Sequence, residues 1–169
     1  MFEIHDSTQT VDTFMKMAVF SDETKERVKD ADIVLLPDFN IKEGVDRAFQ
    51  PDTVTFFKYS KAKKESQEVK IELFENKGEE KFLALHSFDI WIPTIVIIKE
   101  GLFGFVINLV SSYVYDKMKG RPKDEPTVHF QLIVENKKAG KSKKLMYNGP
   151  MEGFRDSFEK IDVSKLWED

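Results

Sequence analysis

The stretch from Ile90 to Gly120 constrains the fold most, because it is the longest apolar segment of the chain. It begins with Trp91, passes Pro93, runs through Thr94-Ile95-Val96-Ile97-Ile98, and continues as a helical pattern from Leu102 to Lys119. Leu102, Phe103, Val106, Leu109, Val110, Tyr113 and Val114 recur at the three-and-four spacing of one helix face. The opposite stripe reads Gly104, Asn108, Ser111, Ser112, Asp116 and Lys119. The spacing therefore predicts an amphipathic helix over 102–119 that buries one side and wets the other. Lys117 and Lys119 suit the negative end of its dipole, and Gly120 is a stop signal. Residues 90–115 are also long enough to span a bilayer, which makes peripheral membrane association an alternative use of this segment. Lys99 and Glu100 fall mid-stretch, where charge is costly in lipid, and glycine and proline breaks interrupt the run. Burial in a protein core is the primary reading.

Such a core is available. Hydrophobic residues make up 41% of 169 residues and Phe contributes 15 of them. The length suits one domain over 1–169, with an irregular excursion over 38–67. A formal net charge of -4 gives no overall drive toward nucleic acid or anionic lipid. Residues 1–60 carry seven Lys or Arg against twelve Asp or Glu, and residues 121–169 carry ten against nine. This asymmetry points to different binding surfaces at the two ends. With no cysteine, disulfides, thiolate nucleophiles and cysteine metal sites are excluded. Met1 to Asp6 has neither a basic start nor an apolar run, so a cytoplasmic protein is expected.

The remaining segments read as short strands and helices. Phe2-Glu3-Ile4 predicts a strand, and Ser7 or Thr8 is placed to cap a helix with Val11, Phe14, Met15, Ala18 and Val19 on its apolar face. Ser21 is a second cap, followed by Asp22 and Glu23. Ile33-Val34-Leu35-Leu36, between Asp32 and Pro37, reads as a buried strand, central in its sheet. Residues 54–59 alternate like a strand, and 61–67 form a charged break. Residues 69–74 and 82–85, joined by the turn signal at 75–79, predict a hairpin. After a polar connector at 121–126, residues 127–134 and 143–147 flank a turn at 136–140 and predict a second hairpin. Phe154, Phe158 and Ile161 then mark a final helix. The fold class is α+β, mostly antiparallel and built from hairpins, with the central and C-terminal helices packed on one face of the sheet.

Four signals bear on chemistry. The segment Glu135 to Ser142 ends like a phosphate-binding loop, in Gly140-Lys141-Ser142. However, Glu135 stands where the first glycine belongs, and a strand follows instead of a helix, so no convergent amides are supplied. Its lysines, Lys137, Lys138, Lys141, Lys143 and Lys144, can still attract an acidic partner or a phosphate backbone. Asp38 after a buried strand, with Glu68 and Lys70 opening a later one, resembles a metal-dependent PD-(D/E)xK nuclease. That chemistry holds Mg or Mn between carboxylates on neighbouring strands while the lysine positions the attacking water. The histidines, His5, His86 and His129, lack metal-ligand spacing, and no Gly-x-Ser-x-Gly elbow occurs. Finally, Phe82, Phe88, Trp91 and Phe103 gather aromatic surface that suits a pocket or an interface anchor.

The resulting expectation is a non-enzymatic binding or regulatory protein, of the inhibitor or immunity type, that contacts another protein. Trp91, Phe103 and the lysine hairpin are its interface candidates. It commits to no catalytic residue, metal or cofactor. Nucleic acid enters only through the 137–144 hairpin, and a homo-oligomer is compatible with the same surfaces. The alternatives are the hydrolase built on Asp38, Glu68 and Lys70, and membrane contact through 90–115.

Overall fold

The structure is a computed structural model and describes residues 1–63, 68–84, 88–119 and 126–168. The strands are β1 (Phe2–Ser7), β2 (Ile33–Leu36), β3 (Asp38–Lys42), β4 (Val45–Ala48), β5 (Ile71–Leu73), β6 (Ile90–Trp91), β7 (Thr94–Ile97), β8 (Val128–Asn136) and β9 (Lys141–Gly149). The helices are α1 (Val11–Met15), α2 (Asp22–Lys29), α3 (Thr53–Ala62), α4 (Phe103–Met118) and α5 (Met151–Glu159). The main sheet runs β1-β9-β8-β7-β2-β5, with β6 pairing β8 ahead of β7, while β3 and β4 form a separate ribbon. The class is α+β as expected. The β1/β9, β8/β9 and β2/β7 ladders are antiparallel, and β2/β5, β7/β8 and β6/β8 are parallel.

The two sheet faces explain the apolar runs. Ile33, Leu35, Ile71, Ile95, Ile97, Phe130, Leu132 and Leu145 join the core formed with α3, α4 and α5. Val34, Leu36, Val96 and Ile133 point the other way, onto Val11, Phe14 and Val28 of α1 and α2. Helices therefore pack on both faces: α4 and α5 share one, as expected, and α1 and α2 lie on the other. All four residues of β2 are buried, which is why its sequence does not alternate.

The long helix is where the pattern placed it. Its Val106, Ile107, Leu109, Val110 and Val114 are buried in the core. No helix among the described residues is long and apolar enough to cross a membrane. The β8–β9 hairpin also forms, in register from Val128 with Gly149 to Asn136 with Lys141. Ser21 caps α2 by accepting the Thr24 N–H at 3.2 Å. In α5, a Cβ on Gly153 would lie 2.6 Å from the Tyr147 hydroxyl, so this helix position packs without a side chain.

Two strand expectations fail, and the first helix is shorter than expected, capped at Thr10 and ending at Met15 before Ala18 and Val19. Residues 54–59 are helical, inside α3. Val54, Phe56, Phe57 and Tyr59 put apolar or aromatic side chains on both alternate sets, so alternation could not discriminate; α3 buries Thr53, Phe56 and Ser60, at helical spacing. The hairpin of 69–85 does not form either. β5 pairs β2 in parallel, and Phe82 instead bridges Phe49. The turn is real, with Gly78 at φ 86, but it redirects the chain instead of returning it. The excursion over 38–67 contains the β3–β4 ribbon and α3. Leu85, His86, the connector at 121–125 and the last part of the charged break, 64–67, lie outside the described residues.

Candidate functional site

α1 and α2 pack on Val34, Leu36, Val96 and Ile133 of their sheet face. Among the described residues no helix lies over the rest of that face, across β6, the first half of β8, β9 and β1. Strand alternation and register determine what it presents. Trp91 pairs His129, His129 pairs Asn148, Gln131 pairs Met146, and Met146 pairs Glu3. Lys144 and His5 form the next row. Each of these side chains projects from the face opposite the Phe130, Leu132, Leu145 and Tyr147 core. Trp91, His129, Gln131, Met146 and Asn148 are half-buried.

A polar cluster fixes the centre of this face. The Trp91 and His129 rings stack at 3.6 Å between centroids and 12° between planes. His129 Nδ1 lies 2.6 Å from Asn148 Oδ1, and its Nε2 lies 3.1 Å from Asp89 Oδ2. Both ring nitrogens thus face oxygen acceptors. The His129 hydrogen bond holds the Asp89 carboxyl below its ordinary range. The same carboxylate accepts the Thr127 N–H at 3.2 Å, which secures the start of β8. Beside the stack, Asp38 accepts from the Gln50 amide and lies 3.4 Å from the Thr94 hydroxyl. Asp38, Gln50, Trp91, Thr94, His129 and Asn148 border a small cleft of about 40 Å³, on the order of a water molecule.

The proposed metal set is not assembled. Parallel pairing of Ile33 with Ile71 places Lys70 beside Asp32, at the start of β2. There the Lys70 N–H donates to Asp32 Oδ2 at 2.9 Å, and Lys99 Nζ lies 2.7 Å from Asp32 Oδ1. Asp38 stands beyond the other end of β2, roughly 20 Å away at about 3.3 Å per residue. Glu68 sits in the exposed turn before Lys70. The register, which the sequence does not reveal, separates carboxylates that look neighbourly in a pattern match. Among the described residues no three His, Asp or Glu side chains are grouped to hold a metal ion.

The aromatic set is also dispersed. Phe103 is 6% exposed and packs in the core against Phe158, so it is no interface residue. Phe82 stacks on Phe49, and Phe88 is 67% exposed. His5 is an exposed edge residue bonded to Glu3 at 2.8 Å. Of the two described histidines, His129 is the one held between two side-chain acceptors, and its partner Asp89 is forty residues away.

The lysine hairpin is a tight turn, not a phosphate loop. Gly140 takes φ 64, and Ser142 Oγ lies 2.9 and 2.8 Å from the Ser7 and Gln9 carbonyls. Lys137, Lys138 and Lys141 are exposed, Lys143 pairs with Asp6, and Lys144 joins the open face. Below them, buried Glu135 accepts the Val11 N–H. Burial pushes its carboxyl above the ordinary range, against the opposing pull of Val11 and Lys137, and Asp12 adds to the rise. A raised folded-state pKa means stability that is full below the unfolded value and lost as pH rises through the folded one. Glu135→Gln keeps an acceptor and removes that loss. The melting temperature of the variant relative to the parent should therefore increase as pH rises from about 4 to 8; a difference that shrinks with pH contradicts the burial.

No family model, curated protein or solved structure matches this chain.

Proposed function

We propose that this is a non-enzymatic binding protein that docks another protein on the uncovered sheet face, with Trp91 as the anchor. The observation that carries the reading is the Trp91–His129 stack at the centre of a helix-free patch that also offers Met146 and Gln131. Aromatic rings and Met in a half-buried setting, rimmed by polar groups, are the composition of interface centres. The ring is pre-positioned: its strand is pinned by the Trp91 N–H donating to Asp52 Oδ2 at 2.8 Å, and its face by the stacked imidazole. Less side-chain entropy is then lost on association. The exposed lysines of the hairpin extend the patch at one end and favour a partner with an acidic rim, through faster encounter more than through tighter binding.

Photo-crosslinking from single positions tests this. A crosslinking residue at Gln131 or at Met146 should give the same adduct, and one at Glu159, on the far side of the sheet, should not. Trp91→Ala should weaken the captured complex by about 2 kcal/mol, near thirtyfold. The reading fails if Gln131 and Met146 give no common adduct, or if Trp91→Ala leaves affinity unchanged.

A further inference from the structure

The main sheet ends in β5, of three residues, on one side and in β1, of six, on the other. Which groups of β1 face outward follows from its ladder. The Asn148 N–H donates to the Met1 carbonyl at 2.9 Å, and the Met1 amino group donates to the Asn148 carbonyl at 2.6 Å. Bonded and unbonded positions alternate along an antiparallel pair. Glu3, His5 and Ser7 therefore bond to β9, and the N–H and C=O groups of Phe2, Ile4 and Asp6 point away from the sheet. Among the described residues no strand or side chain meets these outward groups.

The middle of the edge is open. Ile4 is 43% exposed, and His5 and Asp6 are exposed beside it. A free edge of this kind is a template for another strand. Lysine, proline or a bulge on the edge commonly prevents such pairing, and β1 has none of the three: Phe2 to Ser7 pair β9 in unbroken register.

The side chains of β1 select what adds to it. Since the outward groups belong to Phe2, Ile4 and Asp6, two copies can pair antiparallel only with these residues opposite one another. A two-fold axis at Glu3 sets two Glu3 carboxylates together, and one at His5 sets two imidazoles together, both unfavourable. An axis at Ile4 sets Glu3 opposite the partner's His5 on both sides, and closes the two exposed Ile4 side chains on each other. Within one chain Glu3 Oε2 and His5 Nε2 already lie 2.8 Å apart, so this acid and base are a compatible pair. Their residues are about 7 Å apart along the strand and about 4.5 Å apart across such an axis. Pairing therefore gathers both acids and both bases into one cluster and deprives neither of its contact.

We propose that β1 pairs with β1 of a second copy of this chain, antiparallel about a two-fold axis through Ile4. The main-chain groups of Phe2, Ile4 and Asp6 then bond those of the partner's Asp6, Ile4 and Phe2. The axis is normal to the sheet, so the two sheets join with the same face upward and carry both Trp91 patches on one surface. The edge is independent of the sheet-face reading: it uses main-chain groups, and its test needs only the purified chain.

Sedimentation velocity of the full chain from about 10 μM to about 1 mM tests this, because so small a contact belongs to the weak class of interface. A dimer should appear with a dissociation constant on the order of 100 μM. Ile4→Pro removes the central outward N–H without touching a β9 bond, as proline can on an edge, and should weaken the dimer tenfold or more. Glu3→Lys and His5→Glu keep the backbone intact. Each alone should weaken the dimer about tenfold, since two cross-strand pairs become like-charged at once. An equimolar mixture of these two variants should restore it, because the introduced lysine then faces the introduced glutamate. The proposal is overturned if the mixture associates no better than either variant alone, or if the three variants dimerise as the parent does. A parent chain that stays monomeric throughout overturns it too, and leaves the edge to an extended segment of a different protein.

Discussion

Asp52→Ala should lower the unfolding free energy by about 3 kcal/mol and the melting temperature by about 6–12 °C. Asp52 is 1% exposed, and two distant segments, β6 and α4, converge on it at the start of α3. Its carboxylate accepts the Trp91 N–H and the Tyr113 hydroxyl, each at 2.8 Å, and pairs with Lys117. Its main-chain carbonyl accepts the Phe56 N–H at 2.9 Å, which starts α3. One side chain thus fastens the beginning of α3 to β6 and to the last turn of α4. Truncation leaves the Trp91 amide without its acceptor and takes one partner from the Tyr113 hydroxyl, which keeps Thr55 at 2.7 Å. Lys117 is 27% exposed, so water screens the charge term and the hydrogen bonds dominate the loss. Asp52→Asn should therefore recover about half, since its oxygen can still accept from Trp91. Denaturant unfolding of both variants checks the order. A loss below about 1 kcal/mol for Asp52→Ala would show that the three segments hold together without it.

Phe158→Ala should cost about 4 kcal/mol, the largest effect expected of a single apolar truncation here. The ring is 1% exposed and lies within 5.1 Å of Phe2, 5.6 Å of Phe130, 4.8 Å of Phe154 and 6.4 Å of both Phe103 and Tyr147, between centroids. It ties α5 to β1, β8, β9 and α4 at once. Because its neighbours are rings on separate elements, they cannot collapse into the hole together, and the cavity term stays large. The urea midpoint should fall with an unchanged m-value. A fall in m-value would instead place α5 outside the cooperative unit.

These two residues differ in how readable they were. Phe158 announces itself, because Phe154, Phe158 and Ile161 recur at helical spacing after the Asn148-Gly149-Pro150 break. Asp52 does not. It stands beside Pro51 in a weakly patterned region, and its partners are 39 to 65 residues away. Chain-local rules see a turn there. The same limit explains α3, whose aromatic run satisfies both periods, and β5, whose partner turned out to be β2. The Trp91 region was visible as aromatic density, but its composition was misjudged: Phe103 went inward with the α4 face, and His129 came across from β8.

What the residues themselves determined is whatever rests on local periodicity. The unbroken run of β2 required two covered faces. The spacing of α4 separated a buried stripe from a polar one, and the alternation of β8 sent His129 and Gln131 to one side and Phe130 and Leu132 to the other. Tertiary structure decided which strands became neighbours, and with that every site. A parallel register carried Lys70 to Asp32 and away from Asp38; β6 laid Trp91 on His129; and β1 was left at an edge. Periodicity follows from backbone geometry within a few residues. Registry between distant segments follows from which faces can be buried together, and that sum is taken over the whole chain.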